Sequence, residues 1–178
     1  MIRELEFKYL CRRHSDEIYR YARSLLGNRA DAEDATQEAL LRLWDNLPKV
    51  QLFNSRAWVL RTTRNYCLDQ IRRRSSRFAP VFVGDKILTD QPDELATDPS
   101  GVANSNDLRG HIDNALQELP ETLKSVFILY EINGLRYREI AETLDMPINT
   151  VKGNLSRARK KLSELLANHN PWTRTYKD

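Results

Sequence analysis

The chain has 178 residues, of which 40% are apolar and 30% charged, and a net charge of +3. This size and composition suit one ordinary globular domain or two small ones. Its two cysteines, Cys11 and Cys67, are far apart in apolar contexts, which argues against a disulfide framework. The histidines are too scattered to complete a tetrahedral zinc site. We expect both cysteines to be buried and the histidines to lie on the surface.

The first six residues alternate charged and apolar side chains and lack the apolar core of a signal peptide. No uncharged apolar run approaches the length that a membrane span requires. We therefore expect a cytoplasmic protein that is not embedded in a membrane.

The N-terminal third predicts three helices. Apolar side chains recur at steps of three and four over residues 10–25, and Gly27 is placed to end this helix. Asn28 can cap a second helix, which is apolar on one face to residue 47. After a loop over residues 49–55, a third helix is predicted over residues 56–74. Its inward-facing residues are Trp58, Leu60, Thr63, Cys67 and Ile71.

The composition changes at residue 78. Residues 78–107 hold three prolines, two glycines and six acidic side chains against one lysine, which predicts a flexible acidic linker. Helical periodicity resumes over residues 108–119, and Pro120 opens a helix that Gly134 ends. Two more helices are predicted over residues 137–144 and 148–166. The predicted fold is all-α, with one small domain at residues 1–77 and a second at residues 108–167. A linker at residues 78–107 joins them, and a tail follows at residues 168–178.

The most specific pattern is a helix-turn-helix that begins at residue 137. Ala141 is the small residue needed where the two helices cross, and four aliphatic residues can be buried between them. Asp145 stands where many such turns place glycine, because a left-handed backbone is required there. The aliphatic residues are Ile140, Leu144, Val151 and Leu155.

The second helix of this motif has no acidic residue between Pro147 and Leu162. Such a charge pattern is typical of a helix that enters the major groove of DNA. An ordinary basic surface helix would not explain the small crossing residue and the turn. Gly153 costs this helix about 1 kcal/mol relative to alanine. Close approach to DNA would justify this cost, and the alternative is a weakness that the helix tolerates. The basic residues are Lys152, Arg157, Arg159, Lys160 and Lys161.

A second basic segment covers residues 49–77, where eight lysines and arginines accompany a single acid, Asp69. Phe53, Trp58 and Tyr66 are interleaved with them. Basic side chains follow phosphates and aromatic rings stack on unpaired bases, so this segment predicts a further nucleic-acid surface. For Trp58, a place in the core explains the residue at least equally well.

These motifs resemble extracytoplasmic-function sigma factors of bacterial RNA polymerase. Residues 28–39, followed by Leu43 and Trp44, resemble conserved region two, as do residues 56–58, 64–65 and 72–74. The helix-turn-helix resembles region four of the same family, through residues 149–152 and 156–159. The likeness covers nearly all of the chain except the linker and the tail.

The resemblance implies an initiation factor that binds core RNA polymerase and promoter DNA and forms no stable homo-oligomer. It also implies control by an anti-sigma factor, which is commonly membrane-linked in this family. The sequence holds no carboxylate cluster, nucleophile–base pair or phosphate-cradling glycine loop, so we expect no catalysis, cofactor or metal.

Three sets of site residues follow from the resemblance. Docking on a coiled coil of the largest polymerase subunit is expected from Asp34, Gln37, Glu38 and Leu41. Recognition of the minus-ten element is expected from Leu52, Phe53, Asn54, Trp58, Arg61, Arg64, Asn65 and Arg72. Recognition of the minus-thirty-five element is expected from Thr150, Lys152, Gly153, Ser156 and Arg157.

Two other interpretations of the sequence remain open. A stand-alone helix-turn-helix regulator would bind operators as a dimer and would not contact polymerase. An adaptor or sigma mimic would keep the protein contacts but lack promoter recognition. Gly153 and Ser156 are compatible with this interpretation, because they offer little side chain for contact with DNA.

Overall fold

The computed structural model describes residues 2–77 and 103–168, and all regular structure in these two ranges is helical. The predicted all-α fold with two helical regions is therefore confirmed. The N-terminal half contains α1 (Ile2–Leu26), α2 (Arg29–Asn46) and α3 (Ser55–Arg77). The C-terminal half contains α4 (Ala103–Gln117), α5 (Glu121–Phe127), α6 (Tyr137–Leu144) and α7 (Ile148–Asn168).

Local signals in the sequence set the boundary between α1 and α2. Gly27 adopts a left-handed backbone with φ +79°, and the Asn28 side chain accepts a hydrogen bond from the Asp31 amide at 2.9 Å. Two helices start earlier than their patterns predicted, α1 at Ile2 and α4 at Ala103. Residues 78–102 of the predicted linker, and the predicted tail beyond residue 168, lie outside the described residues.

The N-terminal core is built where α1, α2 and α3 meet. Alanines on α2 let its backbone approach the other two helices closely, as expected for tight helix packing. Burial raises the pKa of the Cys67 thiol to about 12, so this group stays protonated and inert. Cys11 is only half-buried. The fully buried residues of this core include Leu10, Ile18, Tyr21, Leu25, Ala32, Ala35, Leu43, Val59 and Leu60.

The expectation of surface histidines is wrong for His14, which is 2% exposed. It faces the start of α3, where its Nε2 lies 3.1 Å from the Ser55 hydroxyl. Position 14 lies midway between the buried Leu10 and Ile18 at helical spacing, so the ring fills a core site while one nitrogen lies near a polar partner.

In the C-terminal half, α6 and α7 form the predicted helix-turn-helix. Ile140, Val151 and Leu155 are buried as predicted, and Leu144 is half-buried. Asp145 has φ +52°, which confirms the predicted left-handed residue in the turn. The chain then closes the turn with a hydrogen bond from the Met146 amide to the Ala141 carbonyl at 3.0 Å.

The two halves pack against each other, and Arg56 is the centre of the polar contacts between them. Its guanidinium donates to Glu17 at 2.6 Å, to Glu139 at 2.8 Å and to the Asn133 carbonyl at 3.2 Å. The side-chain amide of Asn133 in turn donates to the backbone carbonyl of Glu17 at 3.0 Å. Burial would raise the pKa of Glu17, but its interactions with His14 and Arg56 outweigh burial, so this pKa is lowered.

We expect Asp145→Gly to raise the free energy of unfolding by about 0.5 kcal/mol and Asp145→Ala to lower it by about 1 kcal/mol. Glycine adopts the left-handed backbone without strain, whereas a Cβ is crowded there. Thermal unfolding of the two variants beside the parent chain measures the difference. The same change for both variants would contradict strain at this turn.

We expect Glu17→Gln to lower the stability at neutral pH by about 1–2 kcal/mol, since Arg56 loses one of its two carboxylates and remains partly hydrated. Because the pKa of Glu17 is depressed in the folded state, its contribution is present above the ordinary value of 4.5 and is lost as the pH falls through the folded pKa. The difference between the parent and Glu17→Gln should therefore shrink on acidification.

Urea unfolding between about pH 3 and about pH 7 tests this dependence. The exposed neighbour Asp16 supplies the control, because Asp16→Asn removes a carboxylate outside this network. A parent-minus-Glu17→Gln difference that stays constant with pH would rule out the ion pair as its source.

Candidate nucleic-acid interface

The predicted polymerase-docking residues share one face of α2. Asp34 and Gln37 are exposed, Glu38 is half-buried, and Leu41 exposes 60% of its surface. Glu38 is held by Arg42, whose Nε lies 2.8 Å from its carboxylate on the same helix. An exposed leucine beside acidic and amide groups suits a partner helix that offers both apolar area and basic side chains.

The segment between α2 and α3 presents two apolar side chains to solvent. Leu52 is 52% exposed and Phe53 is 79% exposed, and Asn54 beside them is also exposed. These three residues form a 3₁₀ turn that is anchored to the first residue of α3, because the Ser55 hydroxyl donates to the Leu52 carbonyl at 2.8 Å. A firmly anchored turn with an outward phenyl ring is able to stack on an unpaired base.

Along α3, the other predicted minus-ten residues fall into two groups. Trp58 is half-buried and packs against the core, so the structure favours the core interpretation for much of its ring. Asn65 is exposed, and Arg72 is exposed with its Nη1 3.8 Å from Asp69.

Arg61 and Arg64 instead contact the C-terminal half. Arg61 donates to the Thr143 carbonyl at 3.0 Å and also to the Glu142 carbonyl. Arg64 donates to the Ser125 hydroxyl at 3.1 Å and to Glu121 at 2.9 Å. These two candidate DNA contacts thus bind the C-terminal half, with Arg61 still exposed and Arg64 half-buried, which the sequence pattern did not predict.

The predicted recognition residues lie together at the start of α7. Thr150, Lys152, Ser156 and Arg157 are exposed, and Gly153 is half-buried between them. A Cβ added at Gly153 would meet only the Arg157 guanidinium, at an ordinary 3.8 Å. Packing within the described residues therefore does not require glycine here.

Arg157 is partly tethered to its own helix. Its Nη2 donates to the Asn154 side chain at 2.8 Å, and its Nε approaches the Gly153 carbonyl at 3.3 Å. These contacts hold the guanidinium over the exposed face of α7. Lys152 is less constrained, with its Nζ 5.9 Å from the centre of the Tyr137 ring.

An open groove of about 640 Å³ lies beside these residues, between the starts of α6 and α7. Three of its six lining side chains are cationic, and one is acidic. This charge favours an anionic ligand along the groove. The lining residues are Arg136, Tyr137, Arg138, Glu139, Ile148 and Lys152.

Sequence reasoning missed an aromatic and ionic cluster behind the recognition helix. Tyr130 and Tyr137 stack with ring centres 5.1 Å apart, and the Arg159 guanidinium lies 5.3 Å from the Tyr130 ring. The hydrogen bond to Glu131 raises the pKa of Arg159, which stays charged. Tyr130 and Glu131 belong to a π-helical turn, Ile128–Ile132, which no periodicity in the sequence signals.

Within the described residues, no three His, Cys, Asp or Glu side chains are grouped so that they could hold a metal ion. Among the same residues, no helix is both long and apolar enough to cross a membrane. The exposed surfaces described above offer cations, amides and a few aromatic and apolar side chains.

Comparison with known proteins places each half in a family. Residues 10–77 match Sigma-70 region 2, and residues 109–162 match Sigma-70, region 4. The chain is similar to the ECF RNA polymerase sigma factor SigE of Mycolicibacterium smegmatis, with 32% identity over 92% of this chain. It spans 63% of the length of that relative. It is 30% identical to the ECF RNA polymerase sigma factor SigW of Bacillus subtilis, over 86% of this chain and 84% of the relative.

Solved structures agree with this assignment. The sigma factor RpoE of Bartonella quintana, in complex with the anti-sigma factor NepR, is similar with a TM-score of 0.68 and 25% identity. The match covers 90% of this chain and 96% of that one. CnrH, in complex with the cytosolic domain of CnrY, shares the fold with a TM-score of 0.65. With both region matches in order and a 30% identical relative covered over 84% of its length, the chain belongs to the ECF family of RNA polymerase sigma factors.

Proposed function

We propose that this protein binds core RNA polymerase and directs it to promoters by recognising a minus-ten and a minus-thirty-five element. The observation that carries the proposal is the presence of two basic surfaces, on α3 and α7, in the two halves that match regions 2 and 4. On this proposal the protein acts by recognition and not by catalysis. It works in the cytoplasm, where polymerase and promoter are.

The minus-thirty-five element is read by the exposed face at the start of α7. Lys152 and Arg157 donate hydrogen bonds to guanine edges or phosphates, and Gly153 lets the helix approach the groove wall. Thr150 and Ser156 supply short hydroxyls on the same face. The basic groove at Arg136 and Arg138 lies beside this face and continues the cationic surface along the DNA backbone.

The minus-ten element is read by the turn before α3 together with the exposed side of α3. Leu52, Phe53 and Asn54 provide the pocket for an unpaired base, since they combine apolar area with an amide for hydrogen bonding. Arg61, Arg64, Asn65 and Arg72 contact the strand, and Trp58 supports them from the core side. Capture of an unpaired base favours the opened duplex over the closed one.

The face of α2 defined by Asp34, Gln37, Glu38 and Leu41 docks on the polymerase. Docking of both halves onto one polymerase fixes the spacing of two weak DNA readers and raises their effective concentration. The free protein does not form a stable homo-oligomer. An anti-sigma factor controls it, in keeping with the anti-sigma complexes of the similar solved structures.

Co-elution with purified core RNA polymerase on a sizing column tests the proposal. We expect a complex at micromolar concentrations, and mapped transcript start sites from a fragment library should then share two sequence elements. A chain that binds DNA as a dimer but does not bind polymerase would overturn the proposal in favour of an operator-binding regulator.

We expect Lys152→Ala to weaken binding of the holoenzyme to a promoter found in this way by about 1–3 kcal/mol and to relax the base preference at one minus-thirty-five position. Lys161→Ala, on the opposite side of α7, is the matched control because it removes the same charge. Equal losses on all promoter sequences would identify Lys152 as a phosphate contact and not as a base-reading residue.

We expect the double variant Gln37→Ala with Glu38→Ala to reduce affinity for core polymerase about tenfold or more, because it removes polar contacts at the centre of the docking face. The loss of the Glu38–Arg42 pair costs the free protein only about 0.5 kcal/mol, so the helical circular dichroism should not change. Glu142→Ala, on the other half, controls for charge. Unchanged polymerase affinity would refute this docking face.

A further inference from the structure

A buried histidine of α1 lies against the turn that presents Leu52, Phe53 and Asn54. His14 is 2% exposed, and its Nε2 is 3.1 Å from the Ser55 hydroxyl at the start of α3. We propose that His14 is a positioning residue for this minus-ten turn and that it acts through the hydroxyl of Ser55. This inference rests on the function proposed above for the turn.

Ser55 anchors the turn through a single acceptor, the Leu52 carbonyl. Its backbone N–H donates to this carbonyl, and its hydroxyl donates to the same oxygen at 2.8 Å. Ser55 is 1% exposed, so water does not compete for the hydroxyl. The placement of Leu52 therefore depends on the direction in which the Ser55 hydroxyl points its proton.

The hydrogen-bond pattern defines the role of the histidine ring. A serine hydroxyl has one proton, and here that proton is donated to the Leu52 carbonyl. The hydroxyl oxygen can therefore meet His14 only as an acceptor, so Nε2 of His14 carries a proton and donates it to Ser55. The opposite arrangement, with Nε2 as the acceptor, would take the hydroxyl proton away from the Leu52 carbonyl.

The ring has little else to hold its orientation through polar contacts. Nδ1 of His14 has no hydrogen-bond partner within the described residues, and the Glu17 carboxylate is 3.7 Å from it. That carboxylate accepts from Arg56 at 2.6 Å. Within the same residues, the one hydrogen bond of the ring thus runs to the residue that anchors the minus-ten turn.

The side chains proposed to meet the unpaired base depend on the backbone of this turn. Phe53 is 79% exposed and Leu52 is 52% exposed, so packing against the protein does little to fix either side chain. Their placement follows from the turn, which Ser55 ties to α3. A recognition site that is about 1 Å too loose loses much of its function, so the anchor of the turn bears on base selection.

Two substitutions at position 14 separate the hydrogen-bond donor from the bulk of the side chain. The amide of His14→Gln places its nitrogen where histidine has Nε2, so it can donate to Ser55. The shorter amide of His14→Asn places its nitrogen where histidine has Nδ1, out of reach of Ser55. Both variants bury one amide, so a general loss of stability is common to the two.

A hydroxyl elsewhere on α3 supplies the matched control. Thr63 is fully buried, and its hydroxyl donates to the Val59 carbonyl at 2.7 Å. Thr63→Val removes this bond within the same helix but away from the turn. Ser55→Ala removes the hydroxyl that links His14 to Leu52 and keeps the backbone anchor.

The test measures base preference by the holoenzyme at a promoter found by mapping transcript start sites. Each minus-ten position is changed to the other three bases, and the affinity ratios are compared between variants. We expect Ser55→Ala and His14→Asn each to lower the preference at one position about fivefold, the effect of one hydrogen bond. The parent, His14→Gln and Thr63→Val should keep it.

The two substitutions should not add. We expect His14→Asn combined with Ser55→Ala to lose no more preference than Ser55→Ala alone, because both changes break the same link. Circular dichroism of the free chains checks that each variant is folded. Nitrogen-15 NMR of the histidine ring in the free parent chain should show a proton on Nε2 of His14.

Three results would overturn the proposal. One is a ring that carries its proton on Nδ1 alone, since Ser55 would then not accept from it. Another is a base preference that neither Ser55→Ala nor His14→Asn changes. The third is an equal loss in Thr63→Val, which would trace the effect to stability.

Failure of the proposed function gives a different result. If the parent holoenzyme shows no base preference at any minus-ten position, the function proposed for the turn fails and this inference falls with it. The NMR measurement then still reports separately on the contact between His14 and Ser55.

Discussion

The packing of the two halves of this protein against each other depends on one guanidinium, that of Arg56, which two carboxylates share. Glu17 and Glu139 would repel each other if Arg56 did not lie between them, and both oxygens that it contacts are within 2.8 Å of its nitrogens. The planar fork of an arginine can satisfy several acceptors at once, which a lysine cannot do with the same geometry. The third acceptor, the Asn133 carbonyl, brings the turn after α5 into the same arrangement.

The faces of helix α3 are chemically distinct. One face, with Val59, Leu60 and Cys67, is buried in the N-terminal core and fixes the position of the helix. The arginines on the remaining surface are not needed by that core. Among them, Arg61 and Arg64 donate to acceptors of the C-terminal half.

The apolar periodicity of the sequence, together with the residues that begin and end helices, predicted most of the fold. The helices, the cap at Asn28 and the left-handed Asp145 follow from local backbone chemistry, so a single sequence contains the information. The burial of His14 and the contacts of Arg61 and Arg64 do not, since their partners lie 41 to 82 residues away in the chain. A helical pattern indicates which face is apolar but not which distant group will meet a polar side chain on it.

The residues of the candidate site also fall into those that local sequence predicts and those whose contacts depend on distant residues. The exposed residues at the start of α7 and on α2 lie on the faces that the motifs predicted, because an exposed face needs no distant partner. For α3, the motif predicted the identity of the arginines but not their present acceptors. The π-helical turn with Tyr130 and Glu131 was also missed, because its irregular hydrogen bonding follows from packing and leaves no period in the sequence.

The free space at Gly153 has a consequence for how this chain could change over evolution. A side chain added there would project from the exposed face of α7 without disturbing the described interior. It would also stiffen the helix, since glycine is a poor helix former. Under the role proposed for α7, a mutation at this one codon would alter the base-reading face and stabilise the helix, so stability would not oppose a change in promoter preference.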